Sequence, residues 1–454
     1  MSDTESVVLT GVHGSIAQEI FGAKSGKNHH LVFRSFQASS HLLKATIEVG
    51  IPVIEQLGKE TIELFKQGNF EGFADDGVPD EYILENFNSE IHERIKGYVF
   101  RHLVIDFLIT ELLDRQIMFA NYPRLMGAEL LPGPKMLFHF DVSMSDSVEL
   151  KEWKLFLFKL PKRKRYKDLD KQVEQFLEAQ TAVLAGQNMQ KIEEDDWVCF
   201  DATLIDRRCE VLDANFTSRF WLRANGRGLQ EQFSAMFAGH AVGDQFTTNN
   251  FDFDETQHEI DGKRYNFLIN IKGVIKGNAL SMDLFKTTFR LKNKVEVHGK
   301  LMEVFSYRND ISQRKMIIEE LFHLLLTKHR FEVAKHLVLR RVEDLLVSLM
   351  KQPDYQVYKS QKDFFLQVEQ LAEKQLKEEI IIDQIAYSEG IAVDFKDMQH
   401  YLHLFNNKRL REFVYFKSLI EKIDELEAPI NANILAQAVL REKVLNHIIY
   451  TLTH

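Results

Sequence analysis

Apolar residues recur along this chain with two different periods, and the places where the period changes mark its organisation. Residues 42–49 (LLKATIEV) are rich in β-branched side chains and predict a strand. Pro52 then opens a helix, a position proline favours because its missing N–H would find no partner there. Ile54, Leu57, Ile62 and Phe65 give that helix one apolar face, and Gly68 and Gly72 mark its end. After a loop to Pro79, Asp80 reads as the N-cap of a long helix to about residue 113, with Ile91, Ile95, Val99, Leu103 and Phe107 at helical spacing. Strands are expected at 135–142 and 153–160. The basic run at 161–167 reads as a solvated linker into a helix over 169–184.

Between 195 and 275 the period shortens. Strands are expected at 197–204, 217–222, 245–253 and 265–275, separated by glycine-containing turns, the pattern of a small antiparallel β domain. From about 283 the chain reads as helical to its end, with i, i+3, i+4 apolar spacing over 311–350, 362–388 and 395–405. Residues 1–40 mix Gly, Ser and His with little period and read as a flexible or loosely docked extension.

At 454 residues the chain exceeds one ordinary core and calls for two to four domains. A net charge of −10 excludes wholesale coating of nucleic acid or anionic membrane. Two cysteines are too few for a disulfide scaffold, and no apolar run approaches a membrane span. With no basic, apolar leader at Met1, the expected location is the cytoplasm. The 35 phenylalanines admit two readings, a Phe-packed core or exposed Phe that grips apolar chains. Catalytic constellations are sparse. His323, His329 and His336 stand six and seven apart, which suits no metal cage. Cys199 and Cys209 form no CxxC, and Gly226-Arg227-Gly228 is followed by no GK[ST]. No cofactor and no metal is expected.

Three segments carry a resemblance to a known family. The loop 72–79 holds Gly72, Phe73 and Pro79 between a helix and a long helix. Residues 196–202 (DWVCFDA), Phe220-Trp221-Leu222, Gly226, Gly228, Phe233, the turn 239–244 (GHAVGD), Gly262-Lys263 and Phe267 follow one another as in an FKBP-like domain. Residues 380–386 (IIIDQIA) lead into 389–393 (EGIAV). In this order the chain resembles bacterial trigger factor over roughly residues 42–450, as a divergent member.

The resemblance implies an α+β, multidomain fold. Its parts would be an extension (1–40), an α/β ribosome-binding-like domain (41–160), a linker helix (161–192), an FKBP-like antiparallel β domain (193–277) and an all-α arms domain (278–454). It implies an ATP-independent chaperone that holds unfolded or nascent polypeptides on an apolar helical cradle. Client-binding candidates are Phe322, Phe331, Phe364, Phe365 and Phe405, and a homodimer covering the cradle fits the family. The family's ribosome-docking loop maps to Gly72, Phe73, Ala74, Asp75, Asp76, Gly77, Val78 and Pro79. Its Arg falls on Ala74 and its Lys on Gly77. Residues 71–93 carry a formal charge of −8 with no Lys or Arg, which a phosphate-rich surface repels. The expectation is therefore no docking on ribosomes through this loop, and no membrane partner or nucleic-acid specificity. The isomerase pocket maps to Ala202, Val211, Gln230, Phe233 and Phe267. Twisting a prolyl amide needs a dry aromatic pocket. Ala202, Val211 and Gln230 replace what would line it, so the pocket reads as degenerate. Two alternatives stay open: an active FKBP-type peptidyl-prolyl isomerase, and a dedicated assembly factor for one partner.

Overall fold

The computed structural model describes residues 30–66, 70, 73, 77–115, 117–120, 122–131, 135–145, 148–162, 168–186, 191–206, 208–212, 217–224, 236–249, 265–277, 281–417, 422–423, 426–427 and 429–454. The first unit is a sheet of order β1-β2-β4-β3 with every pairing antiparallel: β1 (Leu31–Ser39), β2 (Leu42–Val49), β3 (Arg124–Leu131) and β4 (Lys135–Ser143). One face carries Ala45, Ile47, Val49, Phe138, Phe140 and Val142, all buried. Against it pack helices α1 (Ile51–Phe65), α2 (Asp80–Val99) and α3 (Ile105–Asp114) through Leu57, Ile91, Val99 and Leu108. A π-helical turn, Phe100–Val104, joins α2 to α3.

Two expectations change here. Residues 31–39 of the supposed extension form β1, whose Leu31 and Phe33 are buried while Val32 and Phe36 face solvent; residues 1–29 lie outside the described residues. The unit is also antiparallel throughout rather than α/β: two residues join β1 to β2, and the helical connection from β2 leads to β3, with β4 running antiparallel between them. Pro79, not Asp80, is the N-cap of α2, and Asp80 instead pairs with Lys66.

A linker helix α4 (Leu169–Gly186) leads to a five-stranded antiparallel sheet of order β9-β6-β5-β8-β7. Its strands are β5 (Trp197–Ile205), β6 (Thr217–Arg223), β7 (Gln245–Thr248), β8 (Asn266–Ile275) and β9 (Ile430–Asn431). β9 comes from near the carboxyl end, in a region expected to be wholly helical, and pairs with β6. This sheet is a middle layer. Val198, Phe200, Phe220 and Phe267 join the core of the first unit, while Trp197, Cys199 and Trp221 join the helical unit. Burial on both faces explains why β5 opens Trp-Val-Cys-Phe instead of alternating with polar residues. Gly273 in β8 meets the ring of Phe395; a Cβ there would come within 2.7 Å of it.

The helical unit holds α5 (Met282–Phe289), α6 (Lys294–Phe305), α7 (Gln313–Lys328), α8 (Lys335–Met350), α9 (Tyr355–Lys359), α10 (Phe364–Ser388), α11 (Phe395–Asn406) and α12 (Ala432–Thr453). Its root buries Ile317, Leu321, Phe322, Ile381, Leu445 and Ile448 in one cluster. Beside them the fully buried Arg314 donates to Asn446 Oδ1 at 2.6 Å and lies 3.6 Å from Glu442. Glu442 in turn accepts from the backbone N–H of Tyr415 and Phe416. Burial pushes the Glu442 carboxyl up, although Arg314 and those two N–H groups pull it back.

Candidate client-binding surface

Helices α8 and α10 form an antiparallel hairpin tipped by α9. Their shared seam is one residue wide per turn. On α10, Phe364, Val368, Ala372 and Leu376 recur every fourth position and are buried, opposite Leu337 and Val338 of α8. Arg341 and Glu379 bind bidentately at 2.7 and 2.8 Å, and Arg441 of α12 joins Glu379 and Asp383. The hairpin leans on the first unit, where Ala120 enters the seam and Arg340 donates to the Tyr122 carbonyl at 2.6 Å.

So thin a seam leaves most of the hairpin surface to solvent, and that surface sets apolar residues among charged ones such as Glu343, Asp344, Lys351 and Lys359. Leu339, Val347 and Met350 on α8, Val357 and Tyr358 on α9, and Phe365, Leu366 and Leu371 on α10 are all exposed, Val357 by 64% and Phe365 by 60%. Exposed apolar residues this dense mark an interaction surface. They stand on rigid helices in one hairpin, which offers an apolar chain many weak contacts.

The sequence-chosen phenylalanines divide. Phe365 lies on this surface. Phe322 does not: it is 1% exposed, stacked among Tyr415 and Phe416, because α7 is enclosed by α10 and α12. Phe364 is buried in the hairpin seam beside Tyr355. Phe331 is half-buried beside a hollow of about 450 Å³ that Leu326, Gln370 and Lys374 also line. Phe405 is half-buried between Tyr401 and the Arg411 guanidinium. Sequence reasoning passed over Leu339, Val347, Val357, Tyr358, Leu366 and Leu371. The signal was present at Phe364-Phe365-Leu366, since consecutive residues on a helix cannot share one face.

In the second sheet, Ala202 and Phe267 do come together, on one buried face of β5 and β8. Val211 is exposed at a bridge to Ile205. Gln230 and Phe233 lie outside the described residues. The Ala202–Phe267 face is covered by the first unit. Tyr98 stacks on His102 at 4.4 Å and on Phe267 at 6.3 Å. Thr61 Oγ1 meets Tyr265 Oη at 2.7 Å, and Ser218 Oγ donates to the His102 carbonyl at 2.7 Å. Burial lowers the His102 pKa to about 3, so the imidazole is neutral there.

Of the predicted docking loop, Phe73 is exposed against Tyr82, Val78 is buried, and Gly77 and Pro79 lead into α2. Gly72, Ala74, Asp75 and Asp76 lie outside the described residues. Glu81, Glu85, Glu90 and Glu93 are exposed along α2, and Glu93 pairs with Lys96. The Cys199 thiol is buried, which pushes its pKa up; Cys209 is exposed. Among the described residues no helix is long and apolar enough to cross a membrane, and no three His, Cys, Asp or Glu residues gather as a metal cage.

The fold and surface thus define a three-unit α+β protein with an exposed apolar helical hairpin. Comparison with known proteins gives that class distant relatives. The chain is similar to the trigger factor of Geotalea uraniireducens (strain Rf4), 21% identical over 378 residues covering 78% of this chain and 84% of that protein. It is 22% identical over 419 residues to the trigger factor of Geotalea daltonii, covering 87% and 92%. No protein-family model matches the chain. A solved structure of the trigger factor chaperone, described with promiscuous substrate recognition in folding and assembly, aligns with 15% identity over 92% of this chain and 99% of that one, at a TM-score of 0.35.

Proposed function

We propose that this protein is an ATP-independent chaperone of the trigger factor type, which holds unfolded or nascent polypeptides on the α8–α10 hairpin. The observation that carries the reading is the run of exposed Leu339, Val347, Met350, Val357, Phe365, Leu366 and Leu371 on rigid helices. Each apolar contact with a client is worth at most about 1.5–3 kcal/mol. Several such contacts hold an unfolded chain, and each releases quickly, so no nucleotide is needed. The distant similarity to two trigger factors supports the same reading.

The test is suppression of aggregation of a chemically denatured client without ATP, with wild type beside a Val357→Ser/Phe365→Ser/Leu366→Ser variant. Loss of suppression in a variant that melts like wild type supports the hairpin as the holding surface. Equal suppression by both moves holding elsewhere.

Two finer expectations belong to the same proposal. The acidic α2 and loop repel a phosphate-rich surface, so the protein does not dock on ribosomes through this loop; stable, loop-dependent co-sedimentation with ribosomes at physiological salt would overturn this. The first unit packs over the Ala202–Phe267 face through Tyr98 and His102, so in this reading the second sheet serves as a joint rather than an isomerase. Turnover in a protease-coupled prolyl assay would restore the enzyme reading.

A further inference from the structure

The segment between β4 and α4 crosses the helical unit as a strap. Val148 N–H donates to Gln384 Oε1 at 3.3 Å, and Lys151 N–H donates to His329 Nε2 at 3.0 Å. Trp153 is buried among Ile317, Leu321 and Ile448, and Lys154 pairs with Glu389 at 2.7 Å. After a short turn, Trp153–Leu155, the backbone extends at Phe156 (φ −70°, ψ 132°). From there side chains alternate: Phe156 and Phe158 pack on the helical core, while Leu155 and Leu157 face solvent, Leu157 by 97%. The period of two predicted a strand over 153–160. The structure supplies side-chain alternation over 155–159 but, among the described residues, no partner strand. Among the described residues no hydrogen bond engages the N–H or C=O of Leu157, Phe158, Lys159 or Leu160; the next anchored group is the Pro161 carbonyl, which accepts from Gln313.

We propose that Leu157–Leu160 is a template edge that pairs with an extended stretch of an unfolded client by backbone hydrogen bonds. Unpaired extended backbone invites strand addition, and the alternating apolar side chains on both sides of it suit a partner of the same period. Charge selects the occupant. Lys159 and Lys162 are exposed, and no carboxylate bridges to either among the described residues. An extended segment alternating apolar and acidic residues neutralises them. A second copy would bring the same lysines to an edge without carboxylates. The occupant's identity as a client rests on the holding function proposed above; the edge itself does not.

The test uses the full chain and a fluorescein-labelled Val-Glu-Val-Glu-Val-Glu-Val peptide, read by anisotropy, with an analogue N-methylated along one edge. Leu157→Pro removes a single N–H from a residue whose N–H has no partner and whose side chain is in solvent, so its melting midpoint stays at the wild-type value. Wild type binds the peptide, Leu157→Pro weakens binding roughly fivefold, the size of one net hydrogen bond, and N-methylation, which removes several donors, weakens it more. Leu157→Ala, which keeps the N–H, weakens it less. Equal binding by wild type and Leu157→Pro, or none by wild type, overturns the proposal. So does a wild-type dimer that Leu157→Pro dissociates while neither binds peptide, which assigns the edge to a second copy. Aggregation suppression run alongside separates the two claims. If suppression persists while peptide binding fails, the edge falls and the chaperone reading stands. If proline-sensitive peptide binding persists without suppression, the reverse holds.

Discussion

Helix α10 runs from the tip of the hairpin into the root of the helical unit, and its two halves meet opposite surroundings. Near the tip it buries only every fourth residue, Phe364, Val368, Ala372 and Leu376, and leaves Phe365, Leu366 and Leu371 in water. Near the root Glu378, Ile380, Ile381, Ile382, Ile385 and Ala386 are all buried, a carboxylate among them. The tip therefore exposes apolar groups while the root encloses charged ones. Each is the costly arrangement for its place. The root's charges are partly satisfied: Glu378 accepts from the Tyr415 hydroxyl at 2.7 Å and Arg314 sits between Asn446 and Glu442, while Arg314 Nε and Nη1 and one oxygen each of Glu378 and Glu442 are buried without a hydrogen bond among the described residues. The tip's apolar groups have no such partner within the chain, which is the physical reason to look for one outside it.

The contrast breaks most sharply at Glu442. Glu442→Ala strands the buried Arg314 and should lower unfolding free energy by about 3–5 kcal/mol in urea titration. The double variant Arg314→Met/Glu442→Gln removes the stranded charge and keeps an acceptor for the Tyr415 and Phe416 N–H groups. It should recover at least half of that loss. If the single variant is as stable as wild type, the root is not held by its charges.

Phe322→Ala, in the same root, should cost about 3–4 kcal/mol from lost burial and the cavity left behind. A cost below about 1 kcal/mol would place Phe322 at a surface after all, and bring it back among the client contacts.

Acid acts on the root and its joints rather than on the tip. His403 Nε2 accepts from the Ser281 N–H at 2.9 Å, and burial lowers its pKa to about 4. The unfolded chain, with an ordinary value near 6.5, then binds more protons than the folded one between these limits. Stability is accordingly full above about pH 6.5, falls as pH drops toward 4, and levels off below; the His403 contribution is about 3 kcal/mol. His403→Gln keeps an acceptor and should flatten this part of the profile in urea midpoints taken from pH 7 to pH 4. An unchanged slope would assign the acid loss to His102, buried at the joint with the second sheet.

What the sequence disclosed follows the same division. Strand β5 was legible from its apolar Trp-Val-Cys-Phe opening, and β8 from an alternation that buries Phe267, Ile269 and Ile271 on one face. β1 was not, since Phe36 and Val32 face water and its period is blurred by the open side of the sheet. Residues 153–160 read as a strand because alternation is real over 155–159, while the turn at 153–155 and the lack of a partner strand among the described residues are not carried by local sequence. The cover over Ala202 and Phe267 was invisible for the same reason: Thr61 and Tyr265 touch across a separation of 204 residues. Phe365, Phe322 and Phe364 were chosen together although Phe365 alone of the three is exposed, because residue type alone does not say whether a helix is enclosed.

The smallest expected effect on stability belongs to the tip, and it sharpens the comparison more than the large ones. Phe365→Ser removes a ring that is 60% exposed, so little apolar area returns to water on unfolding, and unfolding free energy should change by no more than about 0.5 kcal/mol. Its ring meets that of Phe364, at 5.3 Å between centroids, which keeps its own seat in the seam. Client holding should nonetheless fall, since a side chain that contributes nothing to its own fold is free to contribute to another chain's. The decisive pairing is therefore Phe365→Ser against Phe322→Ala: two phenylalanines of the same unit, one altering holding without stability and the other altering stability. If Phe365→Ser destabilises as much as Phe322→Ala, the hairpin tip is enclosed in solution, and the apolar row on it serves packing rather than clients.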